Sequence, residues 1–202
     1  MPTYKLTYFN ITGLGEGLRY LLHQCGIQFE DKRLTFEEWP KYKTDMPMHQ
    51  VPVLEIDGKK YHQSKAIGRY IARTHNLYGS NEIESMEIDC TIDTINDLRL
   101  ALSIYYWEQD EAMKAKLKER AFEKLPFYME KLQEQVKKNG GYFIGGKLSW
   151  ADLFFVSFEE YLSTVIGSPL NKGRPELENL VKKVRDLPAI KAYLANRPKC
   201  QF

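Results

Sequence analysis

Residues 49–67 carry the signals that decide the fold: His49-Gln50-Val51-Pro52-Val53-Leu54-Glu55-Ile56-Asp57-Gly58-Lys59-Lys60-Tyr61-His62-Gln63-Ser64-Lys65-Ala66-Ile67. Val53 to Ile56 reads as a short buried strand. Asp57-Gly58 is a hairpin signal, because a primed turn needs positive φ. Lys59 to His62 then returns as a second, antiparallel strand. Ser64 can cap a helix on which Ala66, Ile67, Tyr70 and Ile71 share one face. Pro52 precedes the first strand, where it suits an edge or a tight turn with a cis bond. A cis Val51-Pro52 bond would let the N–H and C=O of Val51 face outward, where an extended peptide can pair as an added strand. At Gln63-Ser64 the free amides and dipole of a helix N-terminus favour a carboxylate. A strand edge and an anion hole this close together suit a short acidic peptide. The same residues read equally well as a strand–turn–strand–helix unit with no ligand.

Upstream, Lys5 to Phe9 alternates polar and apolar and reads as a strand. A helix is expected over 15–25, with Leu18, Leu21, Leu22 and Cys25 at i, i+3, i+4 and i+7, and Gly26 as its C-cap. A second strand follows over 28–34, then a short helix over 36–43 broken near Trp39-Pro40. The order β-α-β, then β-β-α, makes the first two strands parallel and the last two antiparallel.

Downstream, 77–83 lies in a polar stretch and reads as a linker between residues 1–76 and 84–202. Everything beyond it is helical in pattern. Ile88, Ile92, Ile95, Leu102 and Tyr106 stripe a long helix over 84–108. A second helix spans 112–138, with a kink expected at Pro126. Ser149 caps an apolar helix over 150–165, and Asp152 completes a capping-box-like start. Two shorter helices, 175–186 and 188–196, each open on a proline.

The chain has 202 residues, 43% hydrophobic and 28% charged, with net charge +2. That balance argues against nucleic acid and anionic membrane as partners. No apolar run approaches a membrane span, and the N-terminus lacks a signal-peptide core. Cys25, Cys90 and Cys200 are far apart, with neither a C-x-x-C motif nor zinc spacing, so reduced thiols in a cytoplasmic protein are the economical reading. Tyr8 ends the first strand just before a helix N-terminus. Redox proteins with this β-α-β order carry a cysteine there, so disulfide exchange is not expected. A tyrosine at that place can donate a hydrogen bond to an anion; it can equally be a strand-end residue packed in the core.

Four motifs in order, Tyr4-Lys5-Leu6-Thr7-Tyr8-Phe9, Val51 to Gly58, His62 to Ile67 and Gly146-Lys147-Leu148-Ser149-Trp150-Ala151-Asp152, span nearly the whole chain. Together they resemble the sigma class of the cytosolic glutathione S-transferases, insect-like and similar to the hematopoietic prostaglandin D synthases. The resemblance implies an α/β thioredoxin-like N-terminal domain, an all-α C-terminal domain and a homodimer. It implies glutathione as co-substrate and conjugation to hydrophobic electrophiles such as lipid-derived aldehydes, with prostaglandin isomerase or peroxidase activity as variants. It assigns Tyr8 to the glutathione thiolate, and Trp39 and Lys43 to the glycyl carboxylate end, where Gln50 offers a hydrogen bond in place of a charge. Val51, before the cis Pro52, is matched to the cysteinyl unit. Gln63 and Ser64 are matched to the γ-glutamyl carboxylate, and Asp97 to the γ-glutamyl amine of the other subunit's ligand. Between the domains, Phe9, Gly13 and Leu14 are expected to face Arg99, Ile104 and Tyr106 across an electrophile pocket closed by Phe202. Leu14 replaces an arginine near the sulfur in the vertebrate prostaglandin enzyme. Asn96 weakens an interface acidic cluster that binds a divalent ion there, so no metal is expected. The rival class is a non-catalytic, lens-crystallin-like structural or interaction protein on the same fold.

Overall fold

The computed structural model describes residues 2–200. A four-stranded sheet in the order β2-β1-β3-β4 forms the first half. Its strands are β1 (Tyr4–Phe9), β2 (Glu30–Leu34), β3 (Val53–Ile56) and β4 (Lys59–His62). β1 runs parallel to β2 and antiparallel to β3, and β3 antiparallel to β4. The crossover between β1 and β2 is α1 (Gly13–Gln24), which starts two residues before the leucine spacing indicates. β2 starts at Glu30, two residues later than expected; Phe29 packs beside His23 just outside it. The β3–β4 turn has φ of 48° at Asp57 and 81° at Gly58, the left-handed pair that a tight hairpin requires.

Two shorter helices complete this half, α2 (Trp39–Tyr42) and α3 (Ser64–Thr74). The remainder is α4 (Glu82–Trp107), α5 (Glu111–Lys138), α6 (Trp150–Ile166), α7 (Pro175–Arg185) and α8 (Pro188–Asn196). Pro126 sits inside α5 without ending it. The α/β half followed by an all-helical half is the predicted fold class. No helix among the described residues is long and apolar enough to cross a membrane.

α6 is the centre of the core. Trp150, Leu153, Phe154, Phe155, Val156 and Phe158 are all essentially inaccessible. Its start is a capping box: Asp152 Oδ2 accepts from the Ser149 amide and hydroxyl, both at 2.7 Å, and Oδ1 accepts from the Phe143 amide at 2.8 Å. The two halves meet where Trp150 lies against α3. A Cβ on Gly68 would stand 2.2 Å from the indole ring, so only a glycine lets that helix approach.

Candidate functional site

One end of the sheet gathers the residues singled out in the sequence. β1 pairs with β3 as Thr7↔Val53, and β3 with β4 as Val53↔His62. One step along the same registers sets Tyr8 beside Pro52 and Pro52 beside Gln63. On the other flank of β1, Tyr8 pairs with Arg33 and Phe9 with Leu34, after which the chain leaves β2 for Trp39.

Tyr8 is buried, and the turn that follows wraps its ring. The Leu14 amide donates to Tyr8 Oη at 3.0 Å. A Cβ on Gly13, whose φ is 37°, would fall 2.6 Å from that oxygen, and one on Gly15 2.3 Å from the ring. Small residues at 13 and 15 are therefore what let α1 close over the tyrosine. Burial pushes the hydroxyl up to about 12, against the opposing pull of the Leu14 amide, Arg19 and Arg99. At neutral pH the hydroxyl keeps its proton and acts as a donor.

The Val51-Pro52 peptide is cis. Gln63, not Ser64, is the N-cap of α3, and no side chain caps that end. Gln63 adopts φ 72° and ψ 96°, a conformation that costs a non-glycine residue about 1–3 kcal/mol and clusters at ligand sites. Ser64 is buried at the first helical position, and Gln63 is exposed beside it. This is an anion-receptive helix terminus in the expected place.

Trp39 is delivered by a reciprocal pair at the entry to α2: the Thr35 amide donates to Glu38 Oε2 at 3.0 Å, and the Glu38 amide to Thr35 Oγ1 at 3.1 Å. The Trp39 ring meets Phe9 edge-on at 5.5 Å. Lys43 and Gln50 are exposed on the connection from α2 to β3. Asp97 is exposed on α4. Its neighbours one and two turns back are paired with α3, Asp93 with Lys65 and Asp89 with Arg69. Among the described residues no three His, Cys, Asp or Glu side chains form a metal-holding group. Burial pushes the Cys25 thiol up to about 11 and raises that of Cys200, which leaves both poor nucleophiles at neutral pH.

A cavity of about 250 Å³ opens beside Tyr8 between the two halves. Tyr8, Phe9, Ile11, Gly13, Leu14 and Phe36 form one wall. Arg99, Ser103, Trp107 and Tyr161 form the other. Ile104 and Tyr106 do not line it, which corrects the expected second wall. Positions 99, 103 and 107 recur every four residues and share one face of α4; 104 points about 100° from the middle of that face and 106 about 60° to its other side. Ile104 is half exposed, and Tyr106 packs edge-on against Tyr105 and Trp107. Phe202, expected over the pocket, lies outside the described residues.

The lining divides by chemistry. Phe9 and Phe36 meet as a tilted pair with centroids 4.8 Å apart, and Phe36 reaches Trp107 of the other half edge-on at 6.2 Å. On the polar side, Trp107 Nε1 donates to Tyr161 Oη at 3.1 Å, and Ser103 Oγ shares a hydrogen bond with the same oxygen at 3.1 Å. Arg99 donates to Asn96 Oδ1 from Nε and Nη2, at 3.3 and 3.1 Å. Partial burial lowers the proton affinity of its guanidinium, and the nearby Tyr8 and Tyr161 partly restore it. The pocket thus has an aromatic lip, a polar floor and a cation facing Tyr8. Phe36, Ser103, Ile11 and Tyr161 had no sequence signal of their own, except that 103 repeats the spacing of Arg99.

Residues 4–73 match the glutathione S-transferase N-terminal domain family and residues 96–197 the C-terminal domain family. A glutathione S-transferase of Anopheles gambiae is 44% identical over 98% of each chain. The human hematopoietic prostaglandin D synthase is 35% identical over the full length of both. The solved structure of prostaglandin synthase D of Nilaparvata lugens superposes with a TM-score of 0.92 at 46% identity, covering 98% of this chain and 99% of that one. With both halves matched in order and over nearly their whole length, the chain belongs to the glutathione S-transferase family.

Proposed function

We propose that the protein is a cytoplasmic, homodimeric glutathione transferase of the sigma class that adds glutathione to hydrophobic electrophiles in detoxification. The observation that carries this reading is the Tyr8 hydroxyl: protonated, held on one lone pair by the Leu14 amide, and opening onto a pocket shared by both halves. Its free proton is the donor that a bound thiolate needs. In this reading residues 1–76 bind the tripeptide, 84–202 supply the electrophile wall, and 77–83 join them. The edge at Val51-Pro52 pairs with the cysteinyl backbone. The uncapped start of α3 at Gln63-Ser64 takes the γ-glutamyl carboxylate, and Trp39, Lys43 and Gln50 hold the glycyl end. Asp97 of the second subunit reaches the γ-glutamyl amine.

Magnitudes limit what Tyr8 contributes. A thiol near pKa 8.5 is about 3% ionised at pH 7, and lowering it by about two units raises the thiolate about 25-fold. That shift corresponds to about 2.7 kcal/mol, within reach of one charge-assisted hydrogen bond of about 1.5–3 kcal/mol. A less basic thiolate attacks more slowly, by about 8-fold for two units at a Brønsted slope near 0.45. The net gain is about threefold, so most of the acceleration must come from holding the electrophile beside the sulfur. Phe36, Trp107, Arg99 and Tyr161 supply that hold. An aromatic lip over a polar floor fits an apolar chain ending in a carbonyl or peroxide, as in lipid-derived aldehydes.

The relatives named hematopoietic prostaglandin D synthase, at 35% identity, and prostaglandin synthase D, at 46%, favour a second reaction at the same site, glutathione-dependent isomerisation of a prostaglandin endoperoxide. A non-catalytic structural protein is not favoured, since such a role requires neither Tyr8 in a pocket nor the open α3 terminus. The deciding experiment is conjugation of 1-chloro-2,4-dinitrobenzene by the purified protein. Turnover is expected; an inert protein that folds normally would return the structural alternative.

A further inference from the structure

Behind Tyr8, on the side away from the pocket, lies a buried ionic network that the reaction itself does not use. Arg19 of α1 is completely inaccessible. Its Nη1 donates to the Ile11 carbonyl at 2.9 Å, and its Nη2 to the Phe9 carbonyl at 3.1 Å. Its guanidinium carbon stands 5.7 Å from the centre of the Tyr8 ring. One cation therefore ties down both ends of the 9–11 backbone that leads into the turn bearing the Leu14 amide. Arg19 also bridges Asp31 of β2 and Glu16 of its own helix.

Glu16 carries the network to the end of the chain. It is 1% exposed. One oxygen accepts from Arg19 at 3.0 Å; the other accepts from Tyr193 Oη at 2.9 Å and from Arg197 Nη1 at 2.8 Å. Arg197 is held in turn by Glu160 of α6. Beside this route, Arg33 joins Asp31, Asn10 and the Tyr193 hydroxyl, and Asn10 Nδ2 donates to the Lys199 carbonyl at 3.2 Å. A purely structural end-to-end tie would not need to pass through the Phe9 and Ile11 carbonyls of the segment that follows Tyr8.

We propose that Arg197 is a positioning residue for Tyr8: acting through Glu16 and Arg19, it holds the 9–14 turn in the form that points the hydroxyl proton at the sulfur. This rests on the reading of Tyr8 as the activator of bound glutathione. Without Arg197, the Glu16 carboxylate keeps only Arg19 as a cationic partner. Arg19 is then drawn towards Glu16 and away from the Phe9 and Ile11 carbonyls, and its positive charge is less available to the sulfur.

The test is titration of the thiolate absorbance of glutathione bound to the full-length protein. Other charges face the same region and must be constant across variants. Tyr8 is faced by Arg19 from α1, Arg99 from α4 and Tyr161 from α6. The network is bordered by Tyr20, His23 and Cys200. In Arg197→Met the bound-thiol pKa is expected to rise by about half a unit, which below that pKa lowers the thiolate about threefold and, since the more basic thiolate attacks faster, the rate about twofold. Glutathione affinity should stay within about twofold, since no proposed glutathione contact is touched. Arg197→Lys should restore most of the shift. Tyr193→Phe, which removes one donor to Glu16 and keeps the ring, should move the pKa the same way by less and serves if Arg197→Met does not fold. Lys191→Met, which removes an exposed cation from the same helix, should leave the pKa in place. An unmoved pKa in folded Arg197→Met and Tyr193→Phe, with or without loss of stability, overturns the proposal. If glutathione bound to the parent protein titrates like free glutathione, the activation reading falls first and this proposal with it.

Discussion

The Leu14 amide and the Tyr8 hydroxyl are 3.0 Å apart, with the amide as donor. This contact occupies one lone pair of the oxygen and leaves its proton free to point into the pocket. It also carries the direction of the chemistry: an amide donor stabilises phenolate, yet burial outweighs it and keeps the phenol protonated to about pH 12. The structure therefore holds Tyr8 as a donor and not as a base.

Tyr8→Phe keeps the ring and deletes that donor. The bound thiol is expected to rise by about one to two pKa units, equivalent to about 1.4–2.7 kcal/mol. Glutathione affinity should change little. Conjugation at pH 7 should fall and partly recover as the pH is raised. Thiolate absorbance and pH–rate profiles measure both; a mutant matching the parent in each would leave Tyr8 as a packing residue.

Phe36→Ala opens the aromatic lip without touching the proposed tripeptide contacts. Losing one aromatic pair costs about 0.5–1.5 kcal/mol beyond area. KM for a hydrophobic electrophile should rise about two- to twelvefold, with KM for glutathione unchanged. Equal changes in both constants would place Phe36 outside the pocket's function.

Asp97→Ala tests the second subunit. Glutathione binding is expected to weaken while light scattering still reports a dimer. Unchanged affinity in a dimeric mutant removes Asp97 from the site, and a monomeric parent removes the shared-site arrangement altogether.

Asp152→Ala should destabilise the protein by about 2–4 kcal/mol, because it strands the buried amides of Phe143 and Ser149. The surviving folded fraction should bind glutathione normally. Burial also pushes the Asp152 carboxyl from its usual 3.8 up to about 6, against the hydrogen-bond donors of Phe143, Ser149 and its own amide that favour its charge. A carboxyl raised on folding binds its proton more tightly in the native state. The proton-linked part of its contribution to stability is therefore complete below about pH 4 and is lost as the pH rises through about 6, while its hydrogen bonds to Phe143 and Ser149 remain. Denaturant midpoints across pH 4–7 should show this slope in the parent and lack it in Asp152→Ala.

Local signals in the sequence determined much of this protein. The Asp57-Gly58 turn, the Ser149–Asp152 box and the leucine spacing of α1 each involve residues within a few positions of one another. Backbone sterics and neighbouring hydrogen bonds settle such features before any distant contact forms. The placement of Tyr8 near Pro52 and Gln63 was not legible in this way, because it needs β1 to pair with β3, strands far apart in the chain.

Only the tertiary structure decided which faces of the long helices meet the sheet half. Helical rotation turns Ile104 about 100° and Tyr106 about 60° from the middle of the α4 face that Arg99, Ser103 and Trp107 bring to the pocket. An apolar or aromatic letter by itself does not say which way it points. Arg19 and Glu16 are a stronger case. In the sequence they are an ion pair at i and i+3 on a helix, the usual mark of a solvent-facing surface. In the fold they are buried, because Asp31, Tyr193 and Arg197, brought from as far as 181 positions away, satisfy their charges. A charged side chain goes inside only where its partners already wait, and the fold, by closing α8 onto α1, is what brings those partners together.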